Sequence, residues 1–353
     1  MIVAPGSTIG IVGGGQLGRM MAIAAAQLGY RCHIFAPDEA PCAAAVAATH
    51  TRAAYDDGEA LIKFAAAVDV VTYEFENLPV AQLAALGPKM RPGIRSLASA
   101  QDRAVEKDFI ESVGGRVAPW RTIDGPADVE SAIGALGLPI VLKSRRFGYD
   151  GKGQGWVRDA AEARDAWEAI GAPSAIAEAA IPYLAEFSVL IARTESGDTA
   201  VWDSARNVHD GGILRQSTLP AGDPIDRQVE EADAVARRIA DALDHIGVLT
   251  VEFFACADGP LVNEIAPRVH NSGHWTIEGA ETSQFEQHIR AVCGLPLGST
   301  RRIAPRVTMD NLIGDEANAW PELVAEPAAH VHLYGKGDPR PGRKMGHVTR
   351  LGS

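Results

Sequence analysis

Cysteine is scarce and poorly placed for its usual structural work. The four in 353 residues, Cys32, Cys42, Cys256 and Cys293, form no CxxC pair and no ligand-like spacing with histidine. A zinc module and a disulfide framework are thereby excluded, and a reducing compartment is expected. No apolar run approaches the roughly 20 residues of a membrane span, and the opening segment lacks the basic stretch of a secretory leader, so a cytoplasmic location is expected. Positive charge is in deficit: the formal net charge is -12. That disfavours non-specific nucleic-acid binding and requires local basic groups for any anionic substrate. No GK[ST] opens a helix, which excludes the Walker phosphate loop. Internal repeats and low-complexity tracts are absent.

What is present reads as an ordinary globular chain, with 46% hydrophobic and 22% charged residues and a length sufficient for two or three domains. Its most informative stretch runs from Thr250 to Glu278. Thr250 to Ala255 and Leu261 to Ile265 alternate with the period of a strand, and Asp258-Gly259 supplies a turn. A loop centred near Asp258 sets Glu252 opposite Glu264, with both carboxylates on one face. Two such charges repel unless a cation lies between them, and oxygen ligands of this kind suit Mg²⁺, which takes its other ligands from water and phosphates. The loop that follows carries Arg268, His270, Asn271, Ser272, Gly273 and His274, donors suited to a small oxyanion.

The strand Thr8 to Val12 leads into GGGQLGRM and an Ala-rich helix from Met20 to Leu28, the opening of a Rossmann-like unit. Gly13, Gly15 and Gly18 fit GxGxxG, which reads either as a phosphate site or as a tight strand-to-helix turn. The next strand runs into Ala36-Pro37 before reaching an acid, which weakens a dinucleotide reading. Val68 to Tyr73 is a further strand, with Glu74 and Glu76 beyond its end facing the same crevice as Gln16. Arg103, Lys107 and Asp108 lie on a predicted helix. The strand Leu138 to Lys143 then feeds into SRRFGYDGKGQG, whose glycines admit phosphate oxygens to the backbone while Lys143 and Lys152 add charge. Ile225 to Leu243 reads as an amphipathic scaffold helix. The last segment reads as poor in long elements, ending in a basic loop with Lys336, Arg340, Arg343 and Lys344.

Taken together, GGGQLGRM, YEFEN, Lys143 with FGYDGKGQG, EFSVLIAR, NVHDGGIL, the Glu252 and Glu264 pair, HNSGHWTIE and GRKMGH resemble the ATP-grasp superfamily. Within it the resemblance is to the N5-carboxyaminoimidazole ribonucleotide synthetase family and covers nearly the whole chain. It implies α/β and α+β architecture: a Rossmann-like domain (1–100), an ATP-grasp domain of two lobes (101–295) and a small β-rich C-terminal domain (296–353), as a cytoplasmic homodimer.

The resemblance further implies ATP and Mg²⁺ as cofactors, with 5-aminoimidazole ribonucleotide and bicarbonate as substrates. ATP falls to Arg103, Lys143, the loop Gly148, Tyr149, Asp150, Gly151, Lys152, Gly153 and Gln154, then Glu178, Ala179, Ala180, Ile181, Glu186, His209, Asn263 and Glu264. Mg²⁺ falls to Glu252 and Glu264. The ribonucleotide falls to Gln16, Leu17, Glu76, Arg268, His270, Asn271, Ser272, Lys336, Arg343 and Lys344. Tyr149, Asp150, Arg268, His270 and Lys143 are the expected catalytic group, with Asp150 taking the amine proton. Two features depart from the family pattern: Val269 stands in place of a proline, and Arg206 in place of an acid. The rival readings are a formate-dependent ribonucleotide transferase, an NAD-dependent dehydrogenase and a non-catalytic nucleotide sensor. The transferase differs in having a Ser-rich flap and an HDTG loop.

Overall fold

The computed structural model describes residues 2–148, 153–171 and 173–352. The β-branched run Thr8–Val12 lies between two parallel neighbours, Arg31–Ala36 and Val70–Tyr73, with Thr49–Arg52 at the far edge of this four-stranded sheet. Ile9, Ile11 and Ile34 are wholly buried, as a parallel sheet covered on both faces requires. The helix begins at Gln16 rather than Met20 and runs to Gln27. Residues of this unit, among them Ile9 and Met21, share one core with Phe285, Ile289 and Val292 of the helix Gln284–Val292. A hydrogen bond of 2.8 Å between Thr72 Oγ1 and His288 Nε2 fastens the two together.

A second, antiparallel sheet orders its strands Trp120–Ile123, Ala175–Ala179, Ile140–Ser144 and Gln154–Val157, backed by helices Pro126–Leu136 and Ala163–Ile170. A third sheet has nine strands. Gly259–Ala266, Gly247–Cys256, Ala185–Arg193, Ala205–Asp210 and Ile213–Leu219 lead directly into Arg306–Ile313, Lys344–Gly352 and Ala329–Leu333, while Thr199–Val201 pairs with Ala185–Arg193. Phe187 and Phe253 stack in its core with centroids 5.2 Å apart. Each such buried side chain contributes roughly 1.5–3 kcal/mol.

The last segment therefore departs from expectation: it holds strands of eight and nine residues. Its buried face carries Asn311, His347 and Thr349 among apolar residues, so the alternation of a strand was disguised as polarity. The amphipathic helix is also shorter than expected, a one-turn 3₁₀ segment Ile225–Arg227 followed by Val229–Ala242.

Candidate active site

The carboxylate hairpin closes on a turn at Ala257 and Asp258, one position earlier than expected, because Cys256 pairs with Gly259. Continued unbroken, that register would face Glu252 with Asn263. A bulge between Glu252 and Phe253 leaves Asn263 unpaired and brings Glu264 opposite Glu252. The expected juxtaposition is thus present, made by a bulge rather than by the turn. Arg103 Nη1 donates to Glu264 Oε2 at 2.8 Å and His270 Nε2 lies 3.0 Å from Glu252 Oε1. Burial alone would raise the Glu264 pKa, but the Arg103 charge pulls it down to about 2. Among the described residues no cluster of three or more acidic, His or Cys side chains forms a complete metal cage. Two opposed carboxylates suit a hard cation that completes its shell with water and phosphate oxygens.

The helix Arg103–Ser112 supplies the opposite wall. Asp102 caps it, accepting from Ala104 N at 3.0 Å, and is forked by Arg145 at 3.0 and 2.9 Å. That fixes the rotation of a face bearing Arg103, Glu106 and Lys107 at i, i+3 and i+4. Lys107 is almost fully buried and lies 2.9 Å from Glu178 Oε1, while Lys143 Nζ donates to Glu178 Oε2 at 2.8 Å. Burial would raise the Glu178 pKa, but Lys143 and Lys107 hold it at about 2. Glu106 accepts the Ile265 N–H at 2.6 Å, and burial with Glu264 nearby pushes its pKa up to about 8. Glu186 Oε2 lies 2.7 Å from His209 Nδ1.

The glycines of GxGxxG enclose a carboxylate of the protein itself. Glu74 is buried and accepts the Gly18 N–H at 2.7 Å and the Gly15 N–H. A Cβ at Gly15 would lie 2.8 Å from Glu74 Oε1, and one at Gly18 3.2 Å from Oε2. Glu74 takes the anion position at the helix N-terminus, which removes the basis for a dinucleotide phosphate there. Next to it, Arg268 forks Glu76, Nε to Oε2 at 2.5 Å and Nη2 to Oε1 at 3.0 Å, joining the first sheet to the loop after the hairpin.

All three sheets open on one cavity of about 880 Å³. Its wall includes Gln16, Leu17, Glu76, Arg103, Lys143, Gly148, Gly153, Gln154, Glu178, Ala179, Ala180, Ile181, Glu186 and His209. Glu252, Asn263, Glu264, Arg268, His270, Asn271 and Lys344 also line it.

Residues 108–285 match the ATP-grasp domain, 6–101 the ribonucleotide synthetase preATP-grasp domain and 308–353 the phosphoribosylaminoimidazole carboxylase C-terminal domain. An N5-carboxyaminoimidazole ribonucleotide synthase of Brucella melitensis is 50% identical over 98% of this chain and 97% of its own. The chain belongs to the N5-carboxyaminoimidazole ribonucleotide synthase family. The family's Bacillus subtilis member is 43% identical, with 99% of this chain and 92% of that one covered. The crystal structure of an ADP complex of a family member superposes with a TM-score of 0.95 at 42% identity, covering 99% of this chain and 94% of the other. The Aspergillus clavatus member, solved with ADP and 5-aminoimidazole ribonucleotide, gives 0.91 at 30% identity, covering 98% and 94%.

Some residues expected at the family's site do not line the cavity. Ser272 is buried behind the wall, with its hydroxyl 2.9 Å from His270 Nδ1. Lys336 and Arg343 stand beside it: Lys336 Nζ donates to the Lys344 carbonyl at 2.9 Å and Arg343 Nη1 to the Lys336 carbonyl at 3.2 Å. Tyr149, Asp150, Gly151 and Lys152 lie outside the described residues. Of the two departures, Val269 packs fully buried in the core, and Arg206 turns away to the Ala221 and Asp223 carbonyls. Glu106 and the site role of Lys107 escaped sequence reading, although the DRAVEK spacing carried the signal.

Proposed function

We infer that the chain carboxylates the amine of 5-aminoimidazole ribonucleotide at the expense of ATP, giving ADP and phosphate in purine biosynthesis. The observation that carries this reading is that the Glu252 and Glu264 pair, the Lys143 and Glu178 pair, and the Arg268 and His270 loop face one cavity. In this reading bicarbonate is the carbon source, and the enzyme works as a cytoplasmic homodimer divided near residues 100 and 295.

ATP lies between the two antiparallel sheets, its adenine against the backbone of Ala179, Ala180 and Ile181 and its phosphates towards Lys143. Glu252 and Glu264 would hold Mg²⁺, which would neutralise phosphate charge. Because Glu178 is engaged by two lysines, it acts by orienting Lys143. A bicarbonate oxygen attacks the γ-phosphorus and ADP leaves, forming carboxyphosphate. This mixed anhydride breaks its C–O bond to give phosphate and CO₂. The substrate amine adds to that carbon and loses a proton, with Asp150 the candidate base and Tyr149 orienting the amine. Arg268 and His270 hold the carbonate, and exclusion of water protects the acyl phosphate. Gln16, Glu76 and Lys344 on the cavity wall hold the ribonucleotide, with Lys336 and Arg343 beside the wall supplying positive charge for its phosphate.

The test is phosphate release with two substrate pairs. Release is expected with 5-aminoimidazole ribonucleotide and bicarbonate. Release driven instead by glycinamide ribonucleotide and formate would assign the chain to the transferase reading.

A further inference from the structure

We infer that Gln284, which does not line the cavity, is the positioning residue for His270. Its side chain is fully buried, and its amide brackets a single residue. Oε1 accepts the His270 N–H at 2.8 Å while Nε2 donates to the His270 carbonyl at 2.6 Å. A neighbouring strand bonds a peptide in this way, but here a side chain does so. The remaining Nε2 proton faces His274 Nδ1 at 3.2 Å, so both amide donors are used. Exchanging the amide O and N would set donor against donor at His270, so the network determines its orientation.

Gln284 is itself held from behind. Its N–H donates to Thr276 Oγ1 at 2.9 Å, and that hydroxyl donates to the Gly273 carbonyl at 2.6 Å. Gly273 leaves the necessary room, since a Cβ there would lie 2.7 Å from Gln284 Cδ. Ser283 caps the helix that Gln284 begins, accepting from Glu286 N at 3.1 Å, so the amide projects from a fixed first turn. With its backbone clamped, His270 receives the Ser272 N–H on Nδ1 at 3.3 Å and directs Nε2 at Glu252. With Nδ1 accepting that N–H, the neutral tautomer this geometry favours carries its proton on Nε2, the atom that faces the reaction space.

The inference rests on the carboxylase reading, in which His270 holds the carbonate, and its test separates the two. Gln284→Met keeps the length of the side chain and removes all three hydrogen bonds. The melting shift produced by ADP and the KM for ATP should stay within about twofold. The kcat of phosphate release with 5-aminoimidazole ribonucleotide and bicarbonate should fall about 10- to 100-fold. Gln284→Glu, which keeps the acceptor for the His270 N–H, should recover part of that loss. It carries the test alone if the Met variant does not fold. A kcat within about twofold of the parent overturns the inference, as does ADP binding lost in step with kcat. The ¹⁵N resonances of the His270 imidazole give a reading independent of turnover. An Nε2-protonated ring in the parent that becomes a tautomer mixture in the variant supports the inference, and an unchanged ring overturns it. Absence of turnover in the unsubstituted chain would refute the carboxylase reading and leave this spectroscopic test intact.

Discussion

Glu178 between Lys107 and Lys143 is the perturbation whose magnitude the structure specifies most closely. A carboxyl held at about 2 rather than 4.5 carries on the order of 3 kcal/mol of preference for its charged form. Because its pKa is depressed by folding, this stability is present above pH 4.5 and lost as the pH falls towards 2. Glu178→Gln leaves Lys107 as an uncompensated buried cation and should cost about 3–5 kcal/mol. Lys107→Met leaves Glu178 with Lys143 at 2.8 Å and should cost less. The double variant keeps only the partly exposed Lys143, so it should be more stable than Glu178→Gln alone, with a coupling of about 2–3 kcal/mol. Urea unfolding of the four proteins measures this. Strict additivity would refute the claim that Lys107 exists to balance Glu178.

Lys336 is half-buried, and burial, aided by Arg343 and Lys344, lowers its pKa from 10.5 to about 8. In the proposed reading its charge holds the ribonucleotide phosphate; that charge should fade above pH 8, so the KM for the ribonucleotide should rise there, and Lys336→Arg should flatten the profile. Folding disfavours this ammonium, so its contribution to stability should improve as pH rises from about 8 to 10.5, read from melting curves across that window. At the first glycine loop, Gly15→Ala should destabilise by about 1–3 kcal/mol through contact with Glu74. Glu74→Ala should relieve part of that cost in the double variant, as read by thermal melting.

The Rossmann-like opening and the hairpin could be read from the sequence because strand period and turn residues are local signals. Glu252 and Glu264 were placed together correctly, yet by a turn one residue out, since the compensating bulge at Asn263 has no glycine or proline to mark it. GxGxxG left a phosphate site and a tight turn both open for a physical reason: the same backbone accommodates a phosphate or the Glu74 carboxylate, and Glu74 lies 56 residues beyond Gly18. Lys107, Glu106 and Gln284 act through partners at least 10 residues away in sequence, and often far more. Only the assembled sheets reveal those contacts.

In the proposed function, Glu252 and Glu264 across the hairpin bind the metal of ATP. Electron paramagnetic resonance of Mn²⁺ titrated into the chain with ADP tests it directly. The unsubstituted chain should hold one Mn²⁺ per site with ADP, while Glu252→Gln and Glu264→Gln should each lose that ion yet remain folded. Mn²⁺ retained equally by both variants would contradict the account.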